Sequence, residues 1–559
     1  MEKIVTRKII ANLKESLIKA AEIACTQGTL AFTELPEIIL EVPKEKQHGN
    51  FATNLALILA KPAKLAPRKI AELLVANLEE NQYVTKVEIA GPGFINFYLS
   101  KQWLFEVMEQ IEAQQADYGQ NADLVGRKIQ LEFVSANPVG PMNVVNARAA
   151  ALGDTLANLF NACGAEAKRE YYINDYGVQV ETLGRSLEAR YREELGQKVE
   201  FPAEGYRGEY LYDLARQIIS EVGDAYLAYP EAERVQLFKE FGYQRMLAEQ
   251  KRDLANYGVN YDHWFSERQL HENGIVAKVL QELIERGLTY ESEGALWLKT
   301  SLYGDDKDRV LRTADGRTTY FTPDIAYHLN KFGRGFDLVI DIWGPDHHGY
   351  IPRMKAALIA MGIEAARFEV LIAQQINLLK DGQPFKMSKR RGEFITMVDL
   401  LEEVGNDAAR WFFLMRSPES HLDFDLDLAK SEKSENPVFY VQYAHARIHS
   451  IFQNAKQNKL SAACRTELME KWDEAEIELV EKVAHFPEVI SEAAKKREPH
   501  RLTNYLLELA TLFHSYYFKR RIIVEDSLET EARLAVAGAV GFVLKHGLNI
   551  LGVNAPERM

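Results

Sequence analysis

No stretch constrains the fold of this chain more than residues 129–173, IQLEFVSANPVGPMNVVNARAAALGDTLANLFNACGAEAKREYYI. Residues 129–134 are a short apolar run with a β-branched bias, closed by Ser135-Ala136-Asn137-Pro138, and they predict a buried strand. Asn137-Pro138 and Gly140-Pro141 impose a turn. Pro141 suits the first turn of a helix, where a missing N–H costs nothing. From Met142 the chain is rich in Ala and Leu with no breaker before Gly153, and Gly164 follows as a helix-ending residue. Residues 168–173 predict a second strand. Strand, loop, helix, strand is a βαβ unit and requires a parallel sheet. Ligands of such sheets lie at the carboxyl ends of the strands, where helix N-termini offer free N–H groups to phosphate. The expected nucleotide floor is therefore Ala136, Asn137, Pro138, Val139, Gly140, Pro141, Met142, Asn143, Val144, Val145 and Asn146. Ala147, Ala149, Ala150 and Ala151 keep the helix slim enough for close approach.

The same logic returns in FDLVIDIWGPDHHGYIPRMKAALIAMG, again an apolar strand, a Gly/Pro loop, polar residues and a helix. FEVLIAQQINLLKDGQPFKMSKRRGEF adds a further strand and a basic loop, and Asp315-Gly316 marks a hairpin turn between apolar runs. Two strand–loop–helix halves enclose an insertion at about 177–288, rich in Glu, Arg, Leu and Ala at helical spacing. This describes an α/β, doubly wound parallel-sheet (Rossmann-like) nucleotide-binding domain over residues 101–433. Residues 1–100 read as a small α+β module, and residues 434–559 shift to helix formers and predict an all-α bundle. Three domains suit a chain of 559 residues.

The net charge of −14 argues against a protein that coats nucleic acid without selectivity, and leaves room for a local basic stripe. No apolar run reaches the length expected of a membrane span, and the first twenty residues form an amphipathic pattern, not a signal peptide. Cys25, Cys163 and Cys464 lie far apart, with no spacing for a disulfide framework or a zinc site, which fits a reducing cytoplasm.

SANPVGPMNVVNARAAALGD resembles the first signature of the arginyl-tRNA synthetases, which are class I aminoacyl-tRNA synthetases. That loop normally reads Asn-Pro-x-Gly-Pro-x-His-x-Gly-His-Ala-Arg; here Asn143 and Asn146 stand at the histidine positions and Val145 at the glycine. Lys386-Met387-Ser388-Lys389 matches the second class I signature and is followed by Arg390-Arg391-Gly392. Family members lacking the last signature lysine tend to carry one at the position of Gly140; this chain has Lys389 and Gly140, so the two loops agree. HGNFATNLALILAKPAK and VEIAGPGFINFYLS resemble the family's N-terminal domain, which contacts the tRNA elbow. YRGEYL and YDHWFSERQLH resemble its connective region beside the acceptor end, and the helical C-terminal part resembles its anticodon-binding domain. The resemblance covers essentially the whole chain.

It implies ATP-dependent ligation of L-arginine to tRNA(Arg) through an arginyl-adenylate, with Mg2+ accompanying ATP, by a cytoplasmic monomer. Lys386 and Lys389, on a mobile glycine-bounded loop, suit the charge that spreads over phosphate as pyrophosphate leaves. Asn143 and Asn146 take the remaining catalytic positions. Met387, Ser388, Asp346 and His347 join the ATP site, while the His347-His348 pair has no third ligand at metal spacing, so no metal site is expected. A guanidinium, with five donors in a plane, is best read by carboxylates. The resemblance assigns the arginine pocket to Glu132, Asn137, Tyr320 and Asp324. Asp324, just after Pro323, equally suits a helix-start charge. For tRNA the candidates are Lys495, Lys496, Arg497, Arg501, Tyr517, Arg520 and Arg521, basic groups for phosphate among aromatics for stacking. His48, Asn50 and Asn54 suit RNA contact and equally suit turns and caps. A catalytically silent tRNA-binding paralogue is the competing expectation, because the first signature reads Asn143-Val144-Val145-Asn146. Another class I synthetase fits less well, since Glu132, Tyr320 and Asp324 suit a cationic side chain.

Overall fold

The computed structural model describes residues 4–43, 45–385, 395–462 and 466–559. Five strands, β1 (Lys128–Phe133), β2 (Glu166–Ile173), β3 (His263–Ser266), β4 (Leu338–Trp343) and β5 (Phe368–Ile372), form one parallel sheet in the order β5-β4-β1-β2-β3. The chain runs outward from β1 to β3, then returns to the other side of β1 for β4 and β5. The strand order thus reverses between β1 and β4, which opens a crevice at their carboxyl ends.

Helix α1 (Val144–Ala162) packs on the face carrying Ile129, Leu131 and Phe133. It can approach so closely because Gly153 meets Phe133; a Cβ at Gly153 would lie 2.2 Å from that ring. The helix starts two residues later than its sequence suggests, because Asn143 caps it. Asn143 Oδ1 accepts from Val145 N (2.9 Å) and Asn146 N (3.1 Å), and Asn146 Oδ1 accepts from Asn143 N (2.9 Å). Helix α2 (Phe321–Gly333) covers the opposite face, where it reaches β1 through Lys331.

The insertion is shorter than expected. Helices Val178–Glu194, Tyr210–Val222 and Glu231–Asn256 share a core of their own around Leu183, Leu187, Tyr191, Leu211 and Phe238. Residues 263–266, expected within it, are instead edge strand β3, paired with β2. His-Trp-Phe-Ser is too short and mixed to announce a strand, yet an edge needs only one partner. Beyond it lies an antiparallel sheet of Thr289–Ser292, Ala295–Leu298 and Arg309–Arg312, followed by the Asp315-Gly316 turn.

The N-terminal part sets helices Val5–Thr26, Leu55–Ala63 and Pro67–Ala76 against an antiparallel sheet of Phe51–Thr53, Phe94–Leu99 and Val84–Ala90. The C-terminal bundle contains α3 (Pro437–Gln457), α4 (His500–Lys519) and α5 (Ser527–Leu551). Against the sequence expectation, α5 is long and apolar enough to cross a membrane. Two-thirds of its most apolar window (67%) is buried, because it is the central helix of the bundle.

Candidate active site

The loop after β1 is strained at its start. Val134 (φ 70°) and Ser135 (φ 40°) both occupy the left-handed region, which a β-branched residue such as Val134 enters only under compulsion. The compulsion comes from side chains that capture the loop's carbonyls. Tyr261 Oη donates to Phe133 O (3.0 Å), Tyr171 Oη to Ala136 O (3.0 Å) and Tyr210 Oη to Val139 O (2.5 Å). Gln250 Nε2 donates to Asn137 O (3.1 Å) and Gly140 O (3.3 Å). Tyr210 and Gln250 come from the helical insertion, so that segment props the expected nucleotide floor from below.

Asn143 and Asn146 bear differently on the site than their assignment as direct catalytic groups implies. The capping box engages both Oδ1 atoms, leaving the two Nδ2 amides as donors. Lys386, Met387, Ser388 and Lys389 lie outside the described residues. The chain on their C-terminal side is tied to the first loop. Thr396 forms an antiparallel bridge with Asn143, and Met397 N donates to Met142 O (2.8 Å). Asp346 and His347 are exposed on a single 3-10 stretch, Pro345–Tyr350, directly beyond β4 at the carboxyl edge. Among the described residues no group of three or more His, Cys, Asp and Glu is arranged to hold a metal ion.

One register row of the sheet is acidic. Asp341 of β4 pairs with Glu132 of β1, which pairs with Glu170 of β2. Adjacent strands lie about 4.8 Å apart, so three like charges in a row need counter-ions. Helix α2 supplies them. Lys331, fully buried, places Nζ 2.5 Å from Glu132 Oε2 and 2.7 Å from Asp341 Oδ1. Arg334 forks onto Glu170 at 2.6 and 2.8 Å. Ser135 Oγ donates to the other Glu132 oxygen (2.8 Å). Glu132, which the resemblance assigns to the arginine pocket, thus shares the Lys331 ammonium with Asp341.

Further acid lies about two turns nearer the start of α2. Asp324, half-buried near the start of α2, accepts from Tyr350 Oη (2.6 Å). Burial holds its carboxyl above the ordinary range, against the pull of that hydrogen bond. Burial pushes Glu267 up to about 7, and the nearby charges of Asp324 and Asp175 push the same way. Asp175 is fully buried and held by Ser266 Oγ (2.6 Å) and Arg268 N (3.0 Å), so the repulsion a bound cation would relieve is that between Asp324 and Glu267. Tyr320 stands at the rim. It is the N-cap residue of α2 and 68% exposed, and its hydroxyl accepts from Arg353 (3.1 Å). Asn137 sits in the propped loop below. Glu267 and Asp175 were missed from sequence because both follow strand ends, and one of those strands, β3, was unread.

The expected tRNA residues fare unevenly. Arg497 does not belong with them: it grips Glu369 of β5 at 3.0 and 2.9 Å and fastens the bundle to the sheet. Arg501 pairs with Glu498, Lys496 with Glu492 and Arg520 with Asp473, all at the surface; Lys495 and Arg521 are exposed. Tyr517 belongs to a larger array. Arg447 lies 4.5 Å from the centre of Tyr443 and 4.7 Å from that of Tyr517, and Tyr443 stacks with Phe439 and His514. Phe518 next to it is 90% exposed. The i, i+4, i+8 spacing of Phe439, Tyr443 and Arg447 was the available signal. Asn50 donates to Glu481 of the bundle (2.9 Å), which makes it a docking residue between domains.

Comparison with known proteins agrees along the whole chain. The family described as Arginyl tRNA synthetase N terminal domain matches residues 7–99, the class I (R) tRNA synthetase catalytic domain matches 107–413, and the DALR anticodon binding domain matches 441–559. The arginine–tRNA ligase of Desulforamulus reducens is 47% identical over 561 residues, covering 99% of this chain and 100% of its own. That of Shouchella clausii is 48% identical, covering 98% and 99%. The Thermus thermophilus arginyl-tRNA synthetase structure shares the fold at a TM-score of 0.75, with 23% identity over 98% of this chain and 100% of its own. The chain belongs to the arginyl-tRNA synthetase family.

Proposed function

We propose that this protein joins L-arginine to tRNA(Arg) at the expense of ATP. The observation that carries this reading is the meeting of three things at the β1/β4 crevice. These are the propped first-signature loop, the chain that flanks the second signature, and the acid of Asp324 and Glu267. The arginine carboxylate attacks the α-phosphorus of ATP. The bond to the bridging oxygen of pyrophosphate breaks, and arginyl-adenylate remains. A terminal ribose hydroxyl of tRNA then attacks the arginyl carbonyl and releases AMP. The N-terminus of α1 and the Nδ2 donors of Asn143 and Asn146 face the phosphate end, with Lys386 and Lys389 assigned to the charge of the leaving pyrophosphate. Asp324 and Glu267 take the guanidinium, and Glu132 takes the α-ammonium group. Mg2+ enters with the ATP phosphates. The aromatic and basic array around Arg447, with Phe518 and Arg521 at the same end of α4, suits unstacked anticodon bases and their phosphates. The enzyme acts as a cytoplasmic monomer in this reading.

The Asn-Val-Val-Asn sequence does not favour a silent paralogue, because its two asparagines build the helix cap that a phosphate-binding N-terminus requires. Charging of arginine onto tRNA, with lysine and glutamine as competitors, tests the assignment. Tight tRNA binding without any arginyl-tRNA would replace it with the silent paralogue.

A further inference from the structure

We propose that Lys331 is a positioning residue of the arginine pocket, whose ammonium group keeps the Glu132 carboxylate charged and aimed for the α-ammonium of the substrate. This rests on the reading of the β1/β4 crevice as the arginine site. Lys331 touches no substrate in that reading; it acts from beneath, through the sheet.

The geometry separates this role from packing. Asp341, Glu132 and Glu170 form one row across three strands, and Lys331 Nζ sits between the first two at 2.7 and 2.5 Å. An apolar side chain of the same length would fill that space without the desolvation cost of an ammonium group. The lysine is therefore an electrostatic device. Glu132 is one of the few charged groups buried at a strand end facing the crevice. Burial raises its carboxyl above the ordinary range, and attraction to Lys331 is the largest effect opposing this. The groups around Glu132 are Lys331, His328 and Tyr327 from α2, Asp341 from β4, Glu170 and Tyr172 from β2, Ser135 from the loop and Tyr261 before β3. Among the described residues, Lys331 is the cation that contacts it.

The same network reaches the other end of the pocket. His328 bridges Asp341 Oδ2 through Nε2 (2.7 Å) and the backbone carbonyl of Asp324 through Nδ1 (2.7 Å). One buried chain, Glu132–Lys331–Asp341–His328, thus sets the carboxylate at the ammonium end and the backbone carrying the carboxylate at the guanidinium end. An amino acid with a cation at each end needs those two acids at a fixed separation.

The test is the pH profile of arginine KM in steady-state aminoacylation. Lys331→Met alone leaves two buried carboxylates without their shared ammonium group and risks misfolding. The double variant Lys331→Met with Asp341→Asn leaves Glu132 as the single uncompensated group. Taken as a ratio to the parent protein at each pH, its arginine KM should be raised most at the lowest pH and fall as pH rises and Glu132 ionises, by up to about a factor of ten per pH unit. The KM values for ATP and tRNA should stay put. A ratio that is flat across pH, or an equal rise in all three KM values, would assign Lys331 to packing and overturn the proposal. Glu132→Gln separates the two layers of the argument. If that variant has parental arginine KM, Glu132 does not meet the substrate, and it is the crevice assignment at this end that fails.

Discussion

Asn143 and Asn146 each hold a backbone N–H of the other, and this dual use predicts how substitutions there will divide. Asn143→Ala should cost about 0.5–2 kcal/mol in chemical unfolding, the usual loss for an N-cap, and should raise the ATP KM. Asn143→Asp restores the acceptor but sets a negative charge beside the phosphates. Its stability should match the parent while the ATP KM still rises. Equal ATP KM in both variants and the parent would confine these residues to capping. Glu267 gives a pH signature. Its carboxyl titrates at about 7 in the fold against an ordinary 4.5, so the folded state holds the proton more tightly than the unfolded one. Stability from this group is therefore complete below about 4.5 and is lost as pH rises through 7. A bound guanidinium favours the ionised form, so arginine should bind more tightly as pH rises through that window and release a proton on binding. Calorimetry in buffers of different ionisation heat detects that proton, and Glu267→Gln should abolish it. Asp324 was placed in the pocket by the family resemblance alone, since after Pro323 its neighbours equally suit a helix-start charge. Glu267 was not, since nothing local distinguishes one Glu in Ser-Glu-Arg-Gln from a solvated charge; only its place past β3 does.

Among elements, the βαβ unit was readable because an apolar run, two X-Pro turns and an Ala-rich stretch leave a chain few alternatives. The start of α1 was misplaced by two residues because Pro141 and Asn143 are both helix-start signals and a side-chain acceptor outranks a ring without an N–H. Strand β3 was lost inside the insertion because its pairing partner, β2, lies about ninety residues earlier, as the Asp262–Arg169 contact that begins the pair illustrates (93 residues). The contact of α1 with the sheet gives a sharp expectation. Gly153→Ala improves helix propensity, yet its methyl group would strike the Phe133 ring. Overpacking of this kind costs about 1–3 kcal/mol, against a gain of about 1 kcal/mol from propensity. Thermal unfolding should show a net loss, and Gly153→Ala combined with Phe133→Leu should recover part of it. The insertion's support of the loop is tested by Tyr210→Phe. Losing the hydroxyl that holds Val139 O should raise the ATP KM with little change in tRNA affinity.

Across the whole molecule, the three folded parts are joined by polar contacts that sequence could not reveal, because each joins residues more than a hundred positions apart. Arg497 was expected at the RNA, and its side chain instead joins the bundle to β5. Arg497→Ala should leave the salt dependence of tRNA binding unchanged and lower the melting temperature. Joint replacement of Lys495 and Lys496 by Ala should flatten the salt slope by up to about two phosphate contacts if both meet RNA. The deepest join is at Arg410. This fully buried guanidinium donates to Leu551 O (2.8 Å) and to Asp154 of α1, where Arg169 also binds. Thr155 and Asn158 of α1 donate to Leu551 O (3.5 Å) and Ile550 O (3.0 Å), contacts spanning 396 and 392 residues. Gly552 seals the junction, since a Cβ there would lie 2.3 Å from the guanidinium. For a chain made from its N-terminus on a ribosome, this imposes a waiting time. The helix whose N-terminus forms the nucleotide floor is synthesised early and is held to β2 through Arg169, but its bonds to Ile550 and Leu551 wait for those residues to emerge, a delay on the order of half a minute at ordinary elongation rates. The far half of this helix therefore completes its contacts long after its own synthesis.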